Sequence, residues 1–113
     1  MPIIFKSHDA EAEQFRTLVI RRVKFAMRPL SWLAPSVWVQ LSDINGPRGG
    51  VDKRCQIELT TISGGPPVIV TSFARDWLSA LQSALARATR SLLHNLKRSR
   101  KNRTATTKLA SSN

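Results

Sequence analysis

The chain has 113 residues, 42% of them hydrophobic, which suits one globular domain with a modest core and leaves no room for a second domain of ordinary size. Its 18 Lys and Arg against 7 Asp and Glu give a formal charge of +11, and this favours a polyanionic partner over a basic surface that merely keeps the protein soluble. The single cysteine excludes an internal disulfide and a thiolate zinc cluster, which indicates a reducing compartment.

No stretch of the sequence has the features of a targeting or membrane segment. The N-terminus, Met-Pro-Ile-Ile-Phe-Lys, lacks both the basic start and the long apolar run of a signal peptide. No later stretch approaches the length of apolar chain that spans a bilayer. We therefore expect a cytoplasmic protein.

The N-terminal part of the chain predicts a short strand followed by a helix. Residues 3–6 form the strand, and Ser7 or Asp9 can cap the helix. Apolar residues at helical spacing define its buried face: Phe15, Val19, Val23, Ala26 and Met27. Three cations follow steps of three and four on another face: Arg21, Lys24 and Arg28. Pro29 ends the helix or follows its last turn.

Three strands are predicted in the middle of the chain. Apolar and polar residues alternate from Val37 to Leu41 and from Arg54 to Ile62, a pattern typical of strands buried on one face only. A short β-branched segment, 68–71, follows a turn rich in Gly and Pro. Trp38 lies on the polar side of its strand, where an aromatic ring more often covers a neighbouring side chain than stacks on a nucleotide base.

The loop between the first two of these strands, residues 42–55, is the least generic passage of the sequence. Its glycines and Pro47 favour turns, and it is longer than a minimal hairpin connection requires. It brings three cations to one end of the sheet: Arg48, Lys53 and Arg54. Binding proteins often keep specific contacts on loops of this kind.

The last large element is a helix that begins near Asp76, a plausible cap. Its apolar face consists of Leu78, Leu81, Leu85, Ala88, Leu92 and Leu96. Another face carries Arg87, Arg90, His94, Lys97 and Lys101. Like charges at this spacing repel, so a run of this length indicates a polyanion that relieves the repulsion. Residues 104–113 are small and polar, and we predict a disordered tail after a folded domain of residues 1–103.

The element order is strand-helix-strand-strand-strand-helix. The first two strands flank a helical crossover, so they should be parallel and the crossover right-handed, and the last three strands should form an antiparallel meander. Both helices need an apolar surface to cover, which predicts an α+β two-layer sandwich with a four-stranded mixed sheet and both helices on one face. The cations of the two helices would then form one surface, and phosphate contacts there would hold a folded nucleic acid without reading its sequence.

The sequence resembles a known family in the passage Asp43-Ile-Asn-Gly-Pro-Arg-Gly-Gly-Val-Asp-Lys-Arg-Cys55 and in the Ala- and Leu-rich helix that starts at Asp76 and ends in a basic run. Together with the element order, these features are similar to the ribosome hibernation promoting factor family, also called the ribosome-associated inhibitor or sigma-54 modulation family, in its short stand-alone form. The resemblance covers roughly residues 1–101. The chain departs from the family pattern after Asp76, where Trp77 stands in place of a Tyr that usually follows one position later.

The resemblance implies a fold similar to double-stranded RNA-binding domains and a bacterial protein of stressed or stationary cells. It implies binding to the small ribosomal subunit, on its 16S rRNA, in the cleft that holds mRNA and tRNA, with inhibition of translation as the result. We expect a monomer in isolation and RNA contacts from Arg21, Lys24, Arg28, Arg48, Lys53, Arg54, Arg87, Arg90, Lys97 and Lys101. A general double-stranded RNA- or DNA-binding domain without ribosome specificity is the alternative.

Catalysis is the competing class of function, and the residue types argue against it. His8 and His94 are far apart in sequence, and Gly46-Pro-Arg-Gly-Gly50 lacks the Lys-Ser/Thr of a phosphate-binding loop. Asp43 and Asp52 bracket the loop, but turn bonding or a salt bridge to a loop arginine explains them more simply than paired catalytic carboxylates. We predict no catalytic residue, no cofactor and no metal.

A membrane-surface helix is a third class, because basic and apolar faces coexist between Asp76 and Lys101. The core of the predicted domain needs that apolar face, however. We therefore expect no membrane partner.

Overall fold

A computed structural model of the chain describes residues 2–7, 9–44, 52–62 and 65–112, with side chains described up to residue 95. The strands are β1 (Ile3–Ser7), β2 (Val37–Asp43), β3 (Lys53–Leu59) and β4 (Val68–Ala74). The helices are α1 (Ala10–Glu13), α2 (Arg16–Met27) and α3 (Trp77–Ser112), and a 3₁₀ turn, Arg28–Leu30, follows α2.

The four strands form one mixed sheet in the order β1-β2-β3-β4. β1 pairs with β2 in parallel, with Ile3 opposite Val37, and β2, β3 and β4 pair antiparallel. This is the predicted sheet, because the helical crossover makes the first pair parallel and the two later connections return the chain directly.

Both long helices cover the same face of the sheet. That face is buried because apolar residues occupy alternate positions of the inner strands: Val37, Val39, Leu41, Cys55, Ile57 and Leu59. The helices contribute Val19, Val23, Met27, Leu81, Leu85 and Leu92 to the same core. α2 packs on β1, α3 packs on β3 and β4, and the two helices contact each other. The predicted two-layer α+β sandwich is confirmed.

The first predicted helix is divided in the structure. Asp9 caps α1, since its Oδ1 accepts the N–H of Glu11 at 2.8 Å. The N–H of Phe15 then donates to Ala12 O at 3.0 Å, a bond of the tighter 3₁₀ type that ends α1 after one turn. Val19 N–H donates to Phe15 O at 2.8 Å and opens α2. The sequence predicts one helix because its apolar spacing continues across the break.

α3 begins where the sequence predicts. The N–H and hydroxyl of Ser79 each donate to the Asp76 carboxylate at 2.8 Å, and the backbone bond is the main cause of the lowered pKa of Asp76. Trp77, the departure from the family pattern, is 3% exposed and packs into the core. The backbone of α3 is helical to Ser112. The domain boundary at residue 103 and the disordered tail of residues 104–113 stay predictions.

No helix of the described residues covers the other face of the sheet. Four large apolar side chains are exposed there: Ile4, Trp38, Ile69 and Phe73. The Lys6 ammonium lies 4.8 Å from the centroid of the Trp38 ring, so Trp38 does cover a neighbouring side chain.

Cys55 lies in β3, on the helix-covered face. It is 0% exposed and opposite Leu41 and Ser72 on the two neighbouring strands. Burial raises the pKa of its thiol to about 12.

Candidate nucleic-acid interface

α2 presents a surface of cations that no acid interrupts. Arg21, Arg22, Lys24 and Arg28 are exposed, and we call these four residues the α2 basic face. The sequence holds no Asp or Glu between residues 14 and 42. The surface is therefore a local concentration of positive charge, which is what a phosphate backbone attracts.

Arg22 is a member of this face that the sequence analysis missed. The predicted cations Arg21, Lys24 and Arg28 follow one line at steps of three and four, and Arg22 belongs to the adjacent line. The buried residues Val19 and Val23 fix the rotation of α2, and with that rotation Arg22 is exposed as well. A wider arc on the helical wheel would have included it.

The predicted cations of α3 are divided in their roles. The Arg87 guanidinium donates to Thr71 O at 2.5 Å and to Ser72 Oγ at 3.3 Å, so it is bonded to β4. Arg90 and His94 are exposed without such a bond among the described contacts. The side chains of Lys97 and Lys101 lie outside the described residues, and their role stays a prediction.

Among the described cations of α3, Arg87 lies away from the α2 basic face; whether the other cations of α3 join that face stays a prediction. α2 lies over β1, one edge of the sheet, whereas Arg87 is bonded to β4, the other edge. Arg87 therefore turns to the side of α3 that is away from α2. The α2 basic face is, among the described residues, the surface best placed to meet a polyanion.

The cations of the loop region have different surroundings from those predicted. The Lys53 ammonium lies 2.7 Å from Asp43 Oδ2 and 3.4 Å from Asp52 Oδ1, and 5.2 Å from the centroid of the Trp77 ring. The hydrogen bond to Asp43 is the main cause of the raised pKa of Lys53. The two aspartates therefore pair with this lysine, where the sequence analysis considered a loop arginine.

Lys53 thus holds the base of the loop together. Asp52 is 1% exposed, and the Lys53 side chain is 13% exposed, so the group has little contact with solvent. Ile44 N–H donates to Asp52 O at 3.0 Å and closes the same end of the two strands. Register explains the placement, because Asp43 and Lys53 are partners across β2 and β3 on the helix-covered face.

The remaining loop cations are accounted for as follows. Arg54 lies on the open face of the sheet, and its Nη2 donates to Gln56 Oε1 at 2.6 Å. Arg48 lies outside the described residues, so its predicted RNA contact stays a prediction.

Replacing Lys53 by Met is expected to lower the melting temperature by several degrees. The change removes the cation that lies 3.4 Å from Asp52, which is 1% exposed, and a buried charge that loses its counter-charge is strongly destabilising. Because the lysine is already engaged in these salt bridges, RNA binding measured below the melting transition is expected to be unchanged. Lys24→Met makes the same chemical change at an exposed site and should leave the melting temperature unchanged. An unaltered melting temperature together with weakened RNA binding in Lys53→Met would instead support the predicted RNA contact of Lys53.

Neither a metal centre nor a membrane span is found among the described residues. No group of three His, Cys, Asp or Glu side chains lies close enough there to hold a metal ion. Within the same part of the chain, no helix combines the length and the apolar character needed to cross a bilayer.

Comparisons with known proteins bear on the fold. No protein-family model and no curated protein matches the sequence. Among solved structures, the chain is similar to the crystal structure of the N-terminal domain of Thermus thermophilus Protein Y, with a TM-score of 0.58 and 19% identical residues. The match covers 80% of this chain and 91% of that one. The fold implied by the family resemblance is therefore the fold observed.

Proposed function

We propose that this protein binds the small ribosomal subunit through the α2 basic face and inhibits translation as a hibernation factor. The fold supports the proposal, because it is that of the Protein Y N-terminal domain, and Protein Y is a ribosome hibernation factor. The observation that carries it for this chain is the α2 basic face itself, a set of exposed cations without an intervening acid.

The proposed mechanism is occupation of a site, with no bond made or broken. Exposed Arg and Lys side chains neutralise phosphates of 16S rRNA and release counterions, which supplies affinity without base reading. A folded domain held in the cleft for mRNA and tRNA excludes both by volume. A cytoplasmic location, action under stress and a monomeric state belong to this proposal.

Arg87 and Lys53 have supporting roles in this mechanism. Arg87 ties α3 to β4, and Lys53 holds the end of β2 against β3. Both keep the sheet and helices rigid, so the cations of α2 stay in a fixed array. The charge of Arg87 also adds to the long-range attraction of the subunit.

Co-sedimentation with small subunits tests the proposal. We expect binding at low salt that weakens about a hundredfold between 50 and 200 mM salt, the loss expected for about four phosphate contacts. Subunits that already carry mRNA and tRNA should bind the protein less well. Equal affinity for the subunit, duplex RNA and duplex DNA would instead support a general nucleic-acid-binding domain, and absence of binding to all three would contradict both.

A further inference from the structure

Phe25 is an apolar ring in the middle of the α2 basic face. Its exposed fraction is 76%, the highest among the exposed large hydrophobic residues of the described structure. Arg21 and Arg22 precede it by four and three residues and Arg28 follows it by three, so all three are its neighbours on the helix surface. The ring is therefore surrounded by guanidinium groups.

The fold does not account for this ring. The core residues of α2 are Val19, Val23 and Met27, each 0% exposed, and they lie on the other side of the helix. Phe25 is neither in the core cluster nor among the residues packed against it. A single exposed apolar residue is ordinary, but this one occupies the centre of the α2 basic face.

An aromatic ring flanked by cations is suited to a partner that combines flat rings with phosphates. Proteins that bind single-stranded nucleic acid use this combination, with cations along the backbone and aromatic side chains on which bases stack. The bases of a regular duplex are stacked on one another and cannot meet such a ring, whereas the bases of loops, bulges and ends can.

We infer that Phe25 stacks on an unpaired RNA base while Arg21 and Arg28 contact the phosphates on either side of it. The inference rests on the proposed function. It adds that the RNA bound by the α2 basic face has an unpaired nucleotide at the contact. The helix spacing fits, because the two arginines lie one turn before and one turn after the ring.

A membrane surface is the other partner that meets apolar and basic groups together. A helix that lies on a bilayer buries a whole apolar face in the lipid. The apolar face of α2 is already used by the core, since Val19, Val23 and Met27 have no exposed surface. Phe25 alone remains as an anchor, so the observations favour RNA.

The test uses an RNA hairpin with one bulged 2-aminopurine and a fully paired hairpin of the same length. The parent protein should bind the bulged RNA about tenfold more tightly and change the 2-aminopurine fluorescence, because the ring stacks on the bulged base. Phe25→Ala should abolish both the preference and the signal while its affinity for the paired RNA stays the same. Phe25→Trp should retain both.

Phe73→Ala is the matched control, since Phe73 is 51% exposed on the open face of the sheet, away from the helices. It should behave as the parent. A Phe25→Ala variant that keeps the preference for the bulged RNA overturns the inference, as does binding to vesicles of phosphatidylserine that depends on Phe25. Small-subunit binding is measured in parallel: intact binding with no effect of Phe25 refutes the stacking alone, whereas loss of all binding by the parent refutes the proposed function.

Discussion

Replacing Arg21, Lys24 and Arg28 together by Glu is expected to weaken binding to the small ribosomal subunit about a thousandfold at low salt. Each hydrogen bond to a charged group contributes roughly 1.5–3 kcal/mol, so the loss of three phosphate contacts accounts for a change of this size. The new carboxylates add repulsion. The salt dependence of the residual binding should also become shallower, because fewer counterions are released.

The fold should survive this triple change. All three side chains are exposed, whereas the core face of α2 consists of other residues. The matched control replaces Lys6, Arg54 and Arg75 by Glu. These three cations lie outside the helices, and the control lowers the formal charge by as much as the triple change in α2 does. If the helical face is the interface, the control retains most of the affinity. Equal losses in the two variants would mean that only the net charge of the protein matters.

Leu81→Ala is expected to reduce the free energy of unfolding by about 3 kcal/mol, within the range of roughly 2–5 kcal/mol found for large-to-small changes in protein cores. Leu81 is 1% exposed on the face of α3 that packs on the sheet. A loss of this size is a large part of the roughly 5–15 kcal/mol that stabilises a domain. Urea unfolding followed by circular dichroism measures it.

Leu93→Ala provides the comparison for Leu81→Ala. The chemical change and the helix are the same, but Leu93 is 41% exposed. We expect a change below about 1 kcal/mol, because surface substitutions rarely exceed that. Similar losses for the two variants would contradict the packing of α3 on the sheet.

The fold was predictable because local pattern and tertiary burial agree. Val37, Val39 and Leu41 alternate in the sequence and are buried on one face in the structure. The break after α1 was not predictable from the same signal. Ala12, Phe15 and Val19 keep helical spacing across the break. The break itself depends on backbone hydrogen bonds, which the spacing of side chains does not reveal.

For the candidate interface, the sequence predicted an excess of positive charge but not which cations are available to a partner. The sequence counts Lys53 and Arg87 with the other cations, but their partners are contributed by other strands: Asp43 by β2 and the carbonyl of Thr71 by β4. Whether a cation is already bonded within the protein therefore depends on strand register and packing. Neither can be read from the composition. Phe25 differs from these two cations, because the predicted buried face of α2 already leaves it out, and the structure adds that 76% of its surface is exposed.

Because Cys55 is buried, the rate at which its thiol is labelled reports how often the folded structure opens. Thiol reagents attack the thiolate, and in the folded state this thiol is both inaccessible and, with a pKa of about 12, protonated near neutral pH. Since Cys55 lies on the helix-covered face of β3, labelling requires the helices to separate from the sheet. The labelling rate then follows the population of open molecules, and a partner that binds only the closed form slows it in proportion to its occupancy. The labelling rate of this one cysteine would therefore measure binding to the subunit without an engineered label.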